Sequence, residues 1–121
     1  MELCLIAGGA TLRLATLALT LAWTHSVQKT RWEEDWQLRD GRIVLVESRV
    51  QGSGAGMEPG PDARFDGQWW RWRPTTPPLP ELVLRRSGAA ADYTICIGGA
   101  CRPMQDLLPA DADPVTLKPC G

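Results

Sequence analysis

The feature that most constrains this chain is a two-residue alternation that begins at Leu17. The odd positions carry Leu17, Leu19, Leu21, Trp23, His25 and Val27, whereas the positions between them are small or hydroxylated. Successive side chains of a β-strand point to opposite faces, so this pattern predicts a strand with one buried face. The dominant period is two and not 3.6, which indicates a β protein rather than a helical one.

Further alternating or β-branched runs follow, and turn signals separate them. The candidate strands are Arg31–Leu38, Arg42–Val50, Gln68–Arg73, Leu82–Arg86, Asp92–Ile97, Ala100–Met104 and Val115–Lys118, and one helical turn is expected at Gln105–Leu108. The Gly/Pro-rich stretch 52–67 is expected to be a loop. These signals predict an all-β fold, an antiparallel sandwich or partly open barrel of about eight to ten short strands. The 121 residues suit a single domain, 1–121.

Turn chemistry predicts a register for the first strands. Asp40-Gly41 suits a type I′ turn and pairs Arg39 with Arg42. The pairs that follow are Leu38 with Ile43, Trp36 with Leu45, Glu34 with Glu47, and Trp32 with Arg49. A four-residue loop, Gln28–Arg31, keeps the apolar faces of the two hairpins together. With that loop, the predicted cross-strand pairs are Val27 with Trp32, His25 with Glu34, Trp23 with Trp36, and Leu21 with Leu38.

This register predicts a polar cluster of His25, Glu34 and Glu47 on the apolar face, with Arg49 in the next layer. Neighbouring carboxylates raise each other's pKa, and a nearby cation relieves this. Three interpretations stay open. The cluster is a structural salt-bridge network that closes one end of the core, a ligand site, or a metal site with His25, Glu34 and Glu47 as ligands.

The segment Gln68–Arg73 alternates tryptophan and arginine. We expect an edge strand with Trp70 and Trp72 turned inward and its arginines turned outward to deter edge pairing. Trp32, Trp70 and Trp72 form a candidate binding surface. Stacking on nucleic acid is the alternative, but a net charge of -1 at pH 7 provides no attraction for a polyanion.

The four cysteines point to a second hairpin. Gly98-Gly99 predicts a two-residue turn, because both of its central residues can adopt positive φ. Cys96 and Cys101 then lie directly opposite each other, either as a disulfide or as two thiols packed side by side. Cys4 and Cys120 lie in the terminal segments, which we expect to be neighbours. With no Cys-x-x-Cys spacing and one His, neither a structural zinc site nor another cofactor is predicted.

The apolar run at residues 15–23 does not fit an export signal or a membrane span. Glu2 stands where a signal peptide would carry positive charge, and the run is shorter than the roughly 20 residues that a transmembrane helix needs. We therefore expect no signal peptide and no transmembrane segment. The cytoplasm is the default compartment, and the periplasm is the alternative if the cysteines are paired.

Three segments resemble a small bacterial family, the domain of unknown function 1850. They are W-T-H-S-V-Q-K-T-R-W-E-E-D-W at Trp23–Trp36, G-R-I-V-L-V-E-S-R-V at Gly41–Val50, and G-S-G-A-G-M-E-P at 52–59. The resemblance runs from about Leu3 to Leu117. Genes of this family lie beside TRAP-type (TAXI subclass) transporter permeases, so the resemblance implies an association with solute uptake. It transfers no catalytic residues.

These observations favour a non-enzymatic accessory or interaction protein of a bacterial TRAP/TAXI-type solute transporter. Its expected partner is a permease or a solute-binding subunit. The alternative is a small-ligand or metal-binding β domain that uses His25, Glu34 and Glu47. A hydrolase ranks third, because no nucleophile with an adjacent base can be assembled from the sequence.

Overall fold

The computed structural model describes residues 2–24, 30–51, 62–86 and 92–121. The strands of these residues are β1 (Leu3–Ala7), β2 (Ala10–Leu14), β3 (Ala18–Thr24), β4 (Arg31–Arg39), β5 (Arg42–Gln51), β6 (Arg64–Phe65), β7 (Trp69–Trp72), β8 (Leu82–Leu84), β9 (Thr94–Ile97), β10 (Ala100–Pro103) and β11 (Val115–Pro119). A 3₁₀ helix, Met104–Asp106, follows β10. It overlaps the helical turn expected at Gln105–Leu108 by two residues.

The strands form two antiparallel sheets. The smaller sheet has the order β2-β1-β11-β8, and the larger has the order β10-β9-β3-β4-β5-β7-β6. The predicted all-β antiparallel fold is confirmed, as a sandwich. Within the described residues it has eleven strands, because β1 and β2 add a hairpin around Gly8-Gly9.

The core lies between the two sheets. Leu3, Leu5 and Leu117 of the smaller sheet are fully buried and belong to one cluster with Leu21 and Ile43 of the larger sheet. The alternation in β3 explains this packing, since Leu19 and Leu21 turn inward while Thr20 turns to the opposite face. We call that opposite face, which is turned away from the smaller sheet, the outer face.

The β4–β5 hairpin follows the predicted register only as far as Trp36. Asp40 and Gly41 have φ of 52° and 75°, as a type I′ turn requires, and Trp36 pairs with Leu45. A β-bulge then shifts the register by one residue. Beyond it the pairs are Asp35 with Glu47, Glu34 with Ser48, Glu33 with Arg49, and Trp32 with Val50.

The predicted pairs Glu34 with Glu47 and Trp32 with Arg49 are therefore wrong. A one-residue shift turns every following side chain to the other face. The bulge buries Ser48 and Val50, which are 4% and 0% exposed, and turns Glu47 and Arg49 to the outer face. Without it, a carboxylate and a guanidinium would enter the apolar side of the sheet, where desolvation of charge is costly.

The β3–β4 register is also wrong, by four residues. Trp23 pairs with Trp32 instead of Trp36, Leu21 pairs with Glu34, and Leu19 pairs with Trp36. An even shift preserves the faces, so the buried side of β3 was predicted correctly although its partners were not. Among the described residues, the last pair of these strands is Thr24 with Arg31. His25 and Val27 lie outside the described residues.

The second hairpin has the predicted register. Gly98 and Gly99 both have positive φ, and Cys96 lies directly opposite Cys101. The two form a disulfide with a Cα–Cα distance of 4.0 Å. A second disulfide joins Cys4 to Cys120 and ties the two terminal strands, β1 and β11, which are neighbours as expected.

Two smaller expectations need correction. The segment containing Trp70 and Trp72 is not an edge strand, because β7 lies between β5 and β6. The expected loop 52–67 contains the short strand β6, while residues 52–61 lie outside the described part of the chain.

Candidate functional site

Charged side chains gather on the outer face of the larger sheet, where β3, β4, β5 and β7 lie side by side. We call this set the ionic network: Thr20, Arg31, Glu33, Asp35, Glu47, Arg49, Asp66 and Arg71. Strand alternation places Glu33 and Asp35 together on this face. The β-bulge in β5 supplies Glu47 and Arg49 opposite them.

Arg49 is the centre of the network. Its Nε donates to Glu33 Oε1 at 2.8 Å. Its Nη1 and Nη2 donate to the two oxygens of Asp35 at 2.8 and 3.1 Å, a bidentate pair. Nη1 also reaches Glu47 Oε1 at 3.1 Å, and the guanidinium lies 6.0 Å from the Trp69 ring centroid. Only 13% of the Arg49 side chain is exposed, and its three carboxylate partners largely neutralise its charge within the protein.

The network extends from Arg49 in both directions. Arg71 lies directly opposite Arg49, and Glu47 relieves the repulsion because its Oε1 also accepts from Arg71 Nη1 at 2.7 Å. Arg71 Nε donates to Asp66 at 2.7 Å. On the β4 side, Arg31 Nε donates to Glu33 Oε2 at 2.8 Å. Charges of alternating sign therefore cross three neighbouring strands.

The environment keeps these groups ionised. Burial would raise the pKa of Asp35, but hydrogen bonds from Arg49 and Thr20 and the positive charges of Arg49 and Arg71 lower it below its usual value. The hydrogen bond from Arg71 and two backbone N–H groups lower the pKa of the exposed Asp66 to about 2. Both carboxylates therefore hold fixed negative charge at neutral pH.

A cavity of about 470 Å³ opens beside the network, and we call it the outer cavity. Its charged lining consists of Arg31, Glu33, Asp35 and Arg49. Another part of the wall is the β9–β10 hairpin, with the Cys96–Cys101 disulfide and the two glycines of its turn. A second cavity of about 500 Å³ lies at β6 and β7, where Arg64 and Asp66 are among the lining residues.

The inner face carries an aromatic cluster near the start of β4. The Trp23 and Trp32 rings stack at 6.2 Å, and Trp72 meets Trp32 edge-on at 6.0 Å. The Nε1 atoms of Trp32 and Trp70 are buried and have no hydrogen-bond partner among the described residues. The candidate surface of Trp32, Trp70 and Trp72 is therefore largely packed against its own neighbours.

Glu34 lies on this inner face and not in the ionic network. Its Oε1 accepts a long hydrogen bond, 3.3 Å, from Trp36 Nε1. Burial raises the pKa of Glu34, and the Trp36 hydrogen bond opposes that rise. The structure thus separates the predicted cluster, since Glu34 projects inward, whereas Glu47 and Arg49 project outward and bond to each other.

Glu34 and Glu47 cannot bind one ion together from opposite faces, so the predicted metal site with His25 does not fit. His25 itself lies outside the described residues. No group of three His, Cys, Asp or Glu side chains in the described parts of the chain could hold a metal ion. In those same parts no helix is long and apolar enough to cross a membrane.

Sequence reasoning missed Glu33, Asp35 and Arg71 as site residues. The run Trp32–Trp36 did contain a signal, because its acidic positions 33 and 35 fall on the face opposite its tryptophans. Their basic partner was assigned to the wrong face, since nothing local marks the bulge.

Fold and site together define a class: a two-sheet antiparallel β-sandwich with an ionic network on the outer face of its larger sheet. The family model of the Domain of unknown function (DUF1850) matches residues 19–104, so the chain belongs to that family. The larger sheet lies almost entirely within the matched residues. No curated protein and no solved structure matches the chain.

Proposed function

We propose that this protein is a non-enzymatic binding module that serves as an accessory component of a bacterial TRAP/TAXI-type solute transporter. It engages the permease or the solute-binding subunit through the outer face of its larger sheet. The observation that carries the proposal is the ionic network, which fixes charged side chains on a sheet face against which no described strand packs. The transporter itself is inferred from the gene neighbourhood that the family resemblance implies.

The chemistry of the network favours binding over catalysis. The pair in the network that most resembles a nucleophile with its base is Thr20 and Asp35. The Thr20 hydroxyl donates to Asp35 Oδ1 at 2.6 Å. A general base works best with a pKa near the operating pH. Asp35 is a weak base, because Arg49 and Thr20 lower its pKa.

A fixed array of both charge signs suits recognition of a polar protein surface. Its side chains are already held by hydrogen bonds, so a partner need not order them, and complementary charges favour one orientation over others. Such contacts weaken as salt screens them. The two disulfides fit work in an oxidising compartment, in bacteria the periplasm.

The test is a binding measurement with the detergent-solubilised permease and, separately, the soluble solute-binding subunit encoded beside it. Arg31→Glu reverses a charge at the rim of the network, where 39% of the Arg31 side chain is exposed. Arg85→Glu is the matched control, since Arg85 is also an exposed ion-paired arginine but lies next to β8 of the smaller sheet. We expect the first variant to weaken binding at least about tenfold and the control to leave it unchanged.

Equal effects of the two variants would contradict the assignment to the outer face, and absence of binding to either subunit would contradict the transporter role. Thermal melts of both variants show whether each remains folded. Alkylation in denaturant of protein purified from its native host checks the compartment, because four free thiols would contradict an oxidising environment.

A second candidate is a small-ligand domain, which the outer cavity favours. Its volume of about 470 Å³ falls within the usual range of ligand sites. Its wall holds Arg31 and Arg49 beside Glu33 and Asp35, a combination that suits a zwitterion such as a free amino acid. Calorimetric titration with amino acids tests this candidate. Binding heat that is lost in Arg31→Glu and kept in Arg85→Glu would favour a ligand-binding function over binding of a protein partner.

A further inference from the structure

The two disulfides differ in exposure and in the length of the loop that each closes, two properties that govern how readily a disulfide is reduced. We propose that Cys96–Cys101 is a thiol–disulfide exchange site that a protein dithiol reduces, while Cys4–Cys120 stays oxidised as a structural link. This inference stands whether or not the outer face binds a transporter subunit.

The first difference is access. Cys101 is exposed and lies on β10, which is an edge strand of the larger sheet with all four of its residues exposed. Cys4 is only 3% exposed on strand β1, which lies between β2 and β11, and its partner Cys120 is half-buried, so neither sulfur of that bond is as exposed as Cys101. Exchange requires a thiolate to reach a disulfide sulfur, so the hairpin is the better target.

The second difference is the loop that each bond closes. The sequence separation is 5 residues for Cys96–Cys101 and 116 for Cys4–Cys120. In the chain-entropy account, a disulfide stabilises the fold by restricting the unfolded chain, and this gain grows with loop length. Reduction of the hairpin bond therefore sacrifices little stability, since backbone pairing still joins β9 to β10.

Position also determines which sulfur is attacked. The bond bridges from the interior strand β9 to the edge strand β10, and Cys96 has Thr20 of β3 as its neighbour on the other side. A thiolate must approach in line with the sulfur–sulfur bond. Since Cys101 lies on the edge strand and Cys96 has β3 beside it, we infer that a thiolate reaches Cys101 Sγ from beyond the edge of the sheet, whereas β3 lies in the way of Cys96 Sγ.

The reaction is a balanced two-electron exchange. A thiolate of the partner dithiol attacks Cys101 Sγ, a mixed disulfide forms, and the Cys96 thiolate leaves and takes up a proton. The second partner thiol loses its proton and attacks the partner's own sulfur, which releases Cys101 as a thiolate. The partner departs as a disulfide, and Cys96 and Cys101 become two thiols after a second protonation.

The consequence falls on the outer cavity, because Cys96 and Cys101 both form part of its wall. Reduction replaces one rigid cross-strand bond by two thiols and removes the covalent tie that holds edge strand β10 to β9. The redox state of the hairpin therefore regulates the shape of this wall.

The test is differential alkylation after reduction of the native protein. The full chain is incubated in its native state with reduced thioredoxin as the probe dithiol, samples are quenched over time with iodoacetamide in denaturant so that buried and exposed thiols are labelled alike, and the products are digested for mass spectrometry. We expect carbamidomethyl groups on Cys96 and Cys101 at least about tenfold faster than on Cys4 and Cys120. Equal rates, or earlier opening of Cys4–Cys120, would overturn the proposal.

A trapping experiment tests the order of attack. A thioredoxin variant without its resolving cysteine should accumulate as a mixed disulfide on Cys101, and capture on Cys96 would refute the geometric argument. Cys96→Ser/Cys101→Ser should give no adduct and should melt close to the oxidised parent. If this variant fails to fold, the bond is structural and the proposal is wrong.

Discussion

The two faces of the larger sheet are built from alternate residues of the same strands, yet different forces hold them. In β4, Trp36 is 3% exposed and packs in the core, while a third of the side chain of its neighbour Asp35 is exposed in the ionic network. The inner face gains from apolar area removed from water, which does not depend on direction. The outer face gains from directed hydrogen bonds between charges, whose net value is limited by desolvation.

We expect burial on the inner face to contribute most of the stability, and directed contacts on the outer face to favour specificity. An antiparallel β-sandwich needs only one apolar face on each sheet, and the other face is commonly exposed to solvent. Here the outer face instead holds Arg49 with only 13% of its side chain exposed. This degree of order, on a face against which no described strand packs, is the property that the proposed binding role uses.

The largest effect should come from the inner face. Trp36→Ala should lower the free energy of unfolding by about 3–5 kcal/mol, the usual cost of emptying a buried aromatic site. Trp69→Ala is the matched control on the outer face, where Trp69 is half-buried against Arg49, and it should cost clearly less. Urea denaturation of both variants measures the difference, and equal costs would erase the distinction between the faces.

Arg49→Ala should give the largest loss on the outer face, about 2–3 kcal/mol. It leaves Glu33, Asp35 and Glu47 without their shared cation, and breaking a buried ion pair costs more than an exposed one, although partial exposure reduces the figure. Arg31→Ala, which removes a more exposed partner of Glu33, should cost less than about 1 kcal/mol. Urea denaturation midpoints measure both losses. An Arg49→Ala midpoint close to that of the parent would show that the network contributes no stability.

Much of the fold was predictable because its signals are local. Alternation identified β3, and the residues Asp40-Gly41 and Gly98-Gly99 specified two hairpins whose turns the structure confirms. The pairing of distant parts was harder. The bulge lies within Val44–Val46, where three apolar residues in a row satisfy either face, so no local pattern indicates which residue is the extra one.

The prediction of the candidate site depended on which residue of β5 is the extra one. Glu47 and Arg49 were recognised as site residues, but the predicted register gave them Glu34 and Trp32 as partners instead of Asp35 and Glu33. A one-residue error at the bulge thus moved two charges from the outer face to the inner face. Energetic reasoning about desolvated charge, applied to the register itself, would have favoured the bulged alternative.

A smaller effect is expected at Glu47. In the register predicted from the sequence, Glu47 lies beside Glu34, and Glu47→Gln would stabilise the fold by relieving repulsion between the two carboxylates. In the structure Glu47 Oε1 instead accepts from both Arg49 and Arg71 and separates their charges. The substitution should therefore cost about 0.5–1 kcal/mol at low salt and less at high salt. A gain in stability at low salt, measured by urea denaturation, would contradict the observed bonding.

The smallest effect should come from Glu34, a charged side chain that faces inward among the aromatic residues. Burial raises the pKa of Glu34, so the folded state holds its proton to higher pH than the unfolded state, whose value is about 4.3. The Glu34 contribution to stability is thus fully present below that value and declines as pH rises through the raised folded pKa.

Glu34→Gln removes the decline and keeps an oxygen that can accept from Trp36 Nε1. The variant should gain stability over the parent at pH 7.5 relative to a pH well below about 4.3, where the Glu34 contribution is fully present. Urea midpoints at the two pH values measure this, with Glu47→Gln as the outward-facing control that should show no such gain. A difference between variant and parent that does not change with pH would show that the inner face tolerates the Glu34 charge as well as the outer face tolerates its own.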